Sequence, residues 1–178
     1  MYFDARFEEM IDQFMKPGNG IGWSSTFMKE GIALMLMSLD AGTGSRPGMS
    51  AMREIAIRAC SFNREAYCEG TDGISSSSDS ALFQDCFDKW KSQTVLPKNV
   101  YELWTAKIDQ WIALRVSAIM NANRRNYYGE CAAFIAALGE VQESGRPGYK
   151  DYLMEQYKAA YSRRRAFHDE LRRYGMRK

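Results

Sequence analysis

The sequence predicts an all-α protein of about seven helices packed as antiparallel helical hairpins. Apolar residues recur three and four positions apart through most of the 178 residues, which is the periodicity of amphipathic helices. No stretch alternates apolar and polar residues for long enough to form a strand. Most connections are short, about two to eight residues, which favours contact between consecutive helices. The length and a hydrophobic content of 46% are typical of one globular domain over residues 1–178.

The helices follow in order from these apolar stripes. Residues 2–16 predict a first helix that ends at the Pro-Gly-Asn-Gly turn of 17–20 and can be semi-independent of the rest. A second helix runs from near Trp23 to Leu39. It is apolar nearly all round over 32–37, so we expect it to be central. Five further helices are predicted over residues 47–68, 79–92, 98–122, 125–143 and 148–174.

Glycine, proline and serine mark the connections between these helices. Residues 69–80, EGTDGISSSSDS, have no periodicity and predict a mobile loop. The tripeptide Arg-Pro-Gly occurs at 46–48 and again at 146–148, each time between two predicted helices. Glycine suits a helix C-terminus and proline the first turn of the next helix. The recurrence fits either a repeated helix–turn–helix unit or chance.

Part of this layout is similar to a known family. The stretches concerned are Gly22-Trp23 through Leu39, Ala51 to Cys68, Thr71-Asp72-Gly73, Tyr152-Leu153, Tyr161 to Phe167, and Leu171. Together they resemble the helical region of bacterial SWIM-type zinc-finger proteins. The resemblance implies a tetratricopeptide-like stack of helical hairpins, a scaffold generally used to bind other proteins. The zinc-binding Cys-x-Cys and Cys-x-His pattern of that finger is missing, so neither zinc nor DNA binding carries over.

Positive charge is concentrated at the end of the chain. Residues 158–178 hold eight cations and two acids, a net charge of +6, so the remaining residues carry −4 of the total +2. Such a basic C-terminal helix can bind an acidic surface or a nucleic-acid backbone. Alternatively, its cations complement the helix dipole and stay in solvent. The candidate partner-binding residues are Arg163, Arg164, Arg165, Arg172, Arg173, Arg124, Arg125, Tyr157 and Tyr161, with Arg146 as a further neighbour.

Residues for catalysis, cofactors or metals are scarce. The single histidine, His168, can form a dyad with Cys131 only if the fold brings the two together. The glycines of 42–48 lack the Lys-Ser/Thr of a phosphate-binding loop, and the four cysteines fit buried, unpaired thiols. We therefore predict a non-enzymatic protein with no catalytic, cofactor-binding or metal-binding residues.

Apolar runs such as 32–37 are far short of the roughly 20 residues that a membrane span needs. The N-terminus has acids and a base where a signal peptide has an apolar segment. These features predict a cytoplasmic protein without a membrane partner.

The sequence thus favours a protein–protein interaction module that binds or occludes another macromolecule. The expected partner is another protein, including one that itself binds nucleic acid. A more specific form of this hypothesis is a phage or mobile-element inhibitor of a nucleic-acid-guided nuclease, of the anti-CRISPR type. The alternative is a nucleic-acid-binding module that uses the basic C-terminal helix. The oligomeric state stays open, because the first helix can pack in cis or swap into a homodimer.

Overall fold

The computed structural model describes residues 26–42, 46–67 and 76–176, and within them the chain is helical with no strand. The helices are α1 (Thr26–Leu39), α2 (Pro47–Tyr67), α3 (Ser76–Gln93), α4 (Lys98–Asn121), α5 (Tyr128–Gln142), α6 (Tyr149–Ala160) and α7 (Arg165–Arg173), with a 3-10 turn at Arg125–Tyr127 before α5. The predicted all-α class is confirmed. The predicted helix over 2–16 lies outside the described residues.

The core is organised around α5. Every residue of α5 from Cys131 to Val141 is buried, and α5 packs against α1, α2, α4, α6 and α7. Its alanines and glycine allow these neighbours to approach closely. The predicted central helix, α1, is also buried from Gly31 to Leu39 and contacts α2, α4 and α5. α1 and α5 therefore both lie at the centre of the fold, and α5 contacts more of the other helices than α1 does.

The first Arg-Pro-Gly connector is held by a buried glutamate of α5. Pro47 is the first residue of α2, as predicted. The amides of Gly48 and Met49 donate hydrogen bonds to the two carboxylate oxygens of Glu140, at 3.1 and 2.8 Å. A remote carboxylate thus caps the start of α2, where the amides have no partner within the helix.

The second connector is capped by Glu143, the residue that follows the end of α5. The amides of Gly148 and Lys150 donate to its two carboxylate oxygens, at 2.7 and 2.9 Å. These hydrogen bonds lower the pKa of Glu143. Gly148 has φ of +85°, a left-handed conformation that favours glycine. α6 begins at Tyr149, so Pro147 precedes this helix and does not occupy its first turn.

Gly48 also sets the distance between α2 and α5. A Cβ atom at this position would lie 2.4 Å from the backbone nitrogen of Ala137 and 2.7 Å from the carbonyl carbon of Ala136. Only glycine allows the start of α2 to approach α5 so closely.

We expect Gly48→Ala to destabilise the protein by about 1–3 kcal/mol, because the methyl group would meet rigid backbone. Helix propensity alone predicts the opposite, since alanine is about 1 kcal/mol better than glycine within a helix. Urea denaturation measures the difference. Gly145→Ala is the matched control, since its nearest atom is 4.0 Å away. Equal stability of the two variants would contradict this interpretation.

The prediction of a single helix over 148–174 is wrong, because this segment forms two helices, α6 and α7, separated by a turn at 161–164. Met154 on α6 and Phe167 on α7 are both fully buried. In an unbroken helix Phe167 would lie roughly 140° around the axis from Met154 and could not reach the same core. The basic segment is therefore a helix end, a turn and a second helix rather than one basic helix.

Two other boundaries differ from the predictions. α3 begins at Ser76, inside the predicted mobile loop of 69–80, and residues 68–75 lie outside the described ranges. Serine and aspartate are favoured at helix N-termini, which explains why α3 begins within a serine run. The predicted sixth helix over 125–143 begins as the 3-10 turn and becomes α5 only at Tyr128.

None of the helices in the described ranges is both long enough and apolar enough to cross a lipid bilayer.

Candidate functional site

Two connections meet at the N-terminal end of α5. They are the α4–α5 connection, residues 122–127, and the α6–α7 turn, residues 161–164. Arg164 joins them, because its Nη1 donates to Asn123 Oδ1 at 2.7 Å and its Nη2 donates to the carbonyl of Met120 at 2.9 Å. This side chain therefore has a structural role, which the sequence analysis did not assign to it.

The contact assembles the arginine face, which we define as Arg124, Arg125, Arg163, Arg164 and Arg165. Four of these side chains are exposed and Arg164 is half-buried. The surrounding stretches, 121–127 and 161–168, contain no aspartate or glutamate. Five guanidinium groups on two adjacent connections create a positive surface potential that attracts anionic partners.

Other predicted neighbours of this face contribute less. Arg172 forms an ion pair with Asp169, and Arg173 pairs with Glu170 at 2.8 Å, both within α7. Nearby acids thus offset these two cations. Arg146 follows the far end of α5, whose 15 residues span about 22 Å. Arg164 therefore brings the connection that carries Arg124 and Arg125 beside the basic segment, whereas Arg146 lies at the other end of α5 from the arginine face.

Tyr157 and Tyr161 are half-buried and pack against the core. The ring of Tyr161 meets Phe167 edge-on, with centroids 6.1 Å apart, and burial raises the pKa of Tyr157. Tyr157 lies on α6 just before the α6–α7 turn and Tyr161 lies in the turn, and each exposes only part of its surface. They remain predicted partner-binding residues, with less contact area than exposed rings would offer.

The geometry does not favour the Cys131–His168 dyad. Cys131 is buried in α5, and burial together with the charge of Glu130 raises the pKa of its thiol to about 12. A thiol with this pKa stays protonated at neutral pH and is a poor nucleophile. His168 Nε2 lies 3.1 Å from the carbonyl oxygen of Tyr161, so this nitrogen carries the proton that it donates. Among the described residues, no three His, Cys, Asp or Glu side chains form a group that could hold a metal ion.

The sequence analysis missed Asn123 and the role of Arg164. They lie 41 positions apart, and nothing local to either position indicates the contact. Searches for a matching family model, a similar curated protein and a similar solved structure find none. The resemblance to the helical region of SWIM-type proteins stays a prediction, and the function must be argued from the geometry alone.

Proposed function

We propose that this protein is a non-enzymatic interaction module that binds an acidic surface of another protein through its arginine face. The observation that carries the proposal is the Arg164 contact, which holds two arginine-bearing connections side by side. Arginine is enriched among the residues that dominate binding energy at protein interfaces. Its planar fork binds carboxylates through two parallel hydrogen bonds.

The arginine face is already assembled in the free protein. Because Arg164 fixes the two connections, the four exposed arginines lose less freedom on binding than they would on flexible loops. Their charge also steers an acidic partner during the diffusional encounter. An inhibitor of a nucleic-acid-guided nuclease is one form of this proposal. Complementary charge then favours an acidic surface of the nuclease over its cation-lined nucleic-acid channel.

The second candidate function is binding of a nucleic-acid backbone. The absence of acids from both arginine-bearing stretches favours it, because phosphates repel carboxylates and contact arginines readily. The two candidates differ in salt dependence. Contacts with phosphates release condensed counterions, so the affinity falls steeply as salt rises.

The test compares two variants with the same loss of positive charge. The first replaces Arg124, Arg125, Arg163 and Arg165 with glutamine and keeps Arg164. The control replaces four cations on other surfaces with glutamine, of which Arg53, Arg58 and Lys89 are exposed and Lys107 is half-buried. Each protein is used for affinity capture from nuclease-treated bacterial lysate, followed by mass spectrometry. We expect the wild type and the control to retain the same acidic protein and the arginine variant to lose it.

Retention of that protein by the arginine variant would refute the proposal. In parallel, binding to a 20-nucleotide oligothymidylate is measured between 50 and 200 mM salt. A steep loss of affinity with salt, shallower in the arginine variant than in the control, would move the function to nucleic-acid binding.

A further inference from the structure

A second candidate site lies at the opposite end of the bundle from the arginine face. It is a cleft of about 430 Å³ between α4 and the α5–α6 connection. Its lining residues are Lys98, Tyr101, Glu102, Thr105, Ala106, Asp109, Gln142, Gly145, Arg146 and Tyr149. The volume is in the range of ligand-binding clefts.

The four charges of this cleft divide into one ion pair and two single charges. Lys98 and Glu102 pair with each other along α4, at 3.8 Å. Arg146 and Asp109 form no ion pair within the described ranges. The guanidinium of Arg146 lies over the ring of Tyr149, 5.6 Å from its centroid. One cation and one anion in the same cleft therefore lack a partner of opposite charge.

These two single charges lie far apart along the cleft. The charge of Arg146 acts on Tyr101, where it opposes the rise in the pKa caused by burial and by the charge of Asp40. Asp109 is the last residue of α4 in the lining of the cleft, and burial raises its pKa. Tyr101 and Asp109 are eight positions apart on α4, which corresponds to about 12 Å. The cleft thus has a positive end and a negative end.

The wall between the two ends is largely apolar. The rings of Tyr101 and Tyr149 flank the positive end, and Ala106 lies between it and Asp109. Aromatic rings stack well on another aromatic or apolar side chain. An occupant therefore needs opposite charges at its two ends and an apolar middle.

We propose that this cleft binds a short extended peptide segment of a partner protein, with an acidic side chain at Arg146 and a basic side chain at Asp109. An extended chain advances about 3.3–3.6 Å per residue, so three or four residues span the distance. The amino and carboxylate groups of a free amino acid are attached to the same carbon atom, so they cannot reach both ends. The proposal is independent of the arginine face, since it concerns other residues at the other end of α5.

The test uses four acetylated, amidated tetrapeptides and isothermal titration calorimetry. Glu-Ala-Phe-Lys and Lys-Ala-Phe-Glu carry both charges and cover both chain directions. Glu-Ala-Phe-Glu and Lys-Ala-Phe-Lys are the like-charged controls. We expect at least one mixed-charge peptide to bind about tenfold more tightly than either control. Equal affinities for all four peptides would overturn the proposal.

Charge reversal in the protein provides a second measurement that misfolding cannot mimic, because it predicts a gain of binding. Asp109→Lys should shift the preference to Glu-Ala-Phe-Glu, and Arg146→Glu should shift it to Lys-Ala-Phe-Lys. Both side chains are exposed, so the fold should tolerate the changes. Arg165→Gln, on the arginine face, should leave all four affinities unchanged. An unchanged preference in both charge-reversal variants would also overturn the proposal.

Discussion

Replacing Glu140 with glutamine should lower the free energy of unfolding by about 3–5 kcal/mol, the usual cost of removing one partner of a buried ion pair. The Glu140 residue is only 3% exposed. Its carboxylate accepts hydrogen bonds from the amides of Gly48 and Met49 and from Lys150 Nζ at 2.6 Å. Glutamine has nearly the same shape, but it leaves Lys150 Nζ without its ion-pair partner. The NH₂ group of the glutamine side chain would also face a hydrogen-bond donor at a position where a carboxylate oxygen of Glu140 now accepts a hydrogen bond.

The matched control is Glu143→Gln, three residues further along the chain and just beyond the end of α5. Glu143 also accepts two amide hydrogen bonds, but it is partly exposed, so water can replace what the substitution removes. We expect a cost of about 1 kcal/mol, typical of a lost N-terminal cap. Urea denaturation of both variants measures the loss in the free energy of unfolding that each substitution causes. A Glu140 variant no less stable than the Glu143 variant would mean that Glu140 is not the residue that holds α2 and α6 to α5.

Replacing Arg115 with methionine should cost about 3 kcal/mol, because it leaves Glu130 without its main partner. Arg115 is 3% exposed, and its Nε donates to Glu130 Oε1 at 2.8 Å. Its guanidinium lies 5.4 Å from the centroid of the Trp111 ring. We expect the lower end of the range for buried pairs, since Lys29 Nζ stays 3.3 Å from Glu130 Oε2 and still offsets the charge.

Methionine keeps most of the apolar packing of the arginine stem, so the measured loss reports the ion pair rather than a cavity. The double variant Arg115→Met with Glu130→Gln should recover about 1 kcal/mol, because no buried carboxylate is then left without its main partner. Thermal and urea unfolding of the two single variants and the double variant complete the cycle. Strictly additive losses would show that Arg115 and Glu130 do not stabilise each other.

Apolar periodicity predicted the helices that have one buried stripe. In α4 the apolar residues three and four positions apart, Trp104, Ile108 and Trp111, are buried, and the helix ends within a residue of its predicted end. Periodicity failed at the turn over 161–164, where no glycine or proline marks the break. The phase difference between Met154 and Phe167 was the available signal, since a single straight helix cannot bury both.

The candidate sites were predictable only in part. The excess of arginine in the last segment was visible in the composition, and it does contribute to the arginine face. The partnership of that segment with Asn123 depends on a tertiary contact that no local pattern indicates. The cleft near Arg146 was missed for the same reason. Its two single charges belong to different helical hairpins, and each looks like an ordinary surface residue in the sequence.

The position of α5 along the chain has a consequence for synthesis on the ribosome. α1 is buried by α2, α4 and α5, but α5 follows all of them in the sequence. α2 follows α1 directly and covers much of its apolar surface. The part of that surface that α4 and α5 cover leaves the ribosome well before those helices do, and pairing with distant segments is slow. The burial of α1 is therefore completed only when α5 has been synthesised and packs against it.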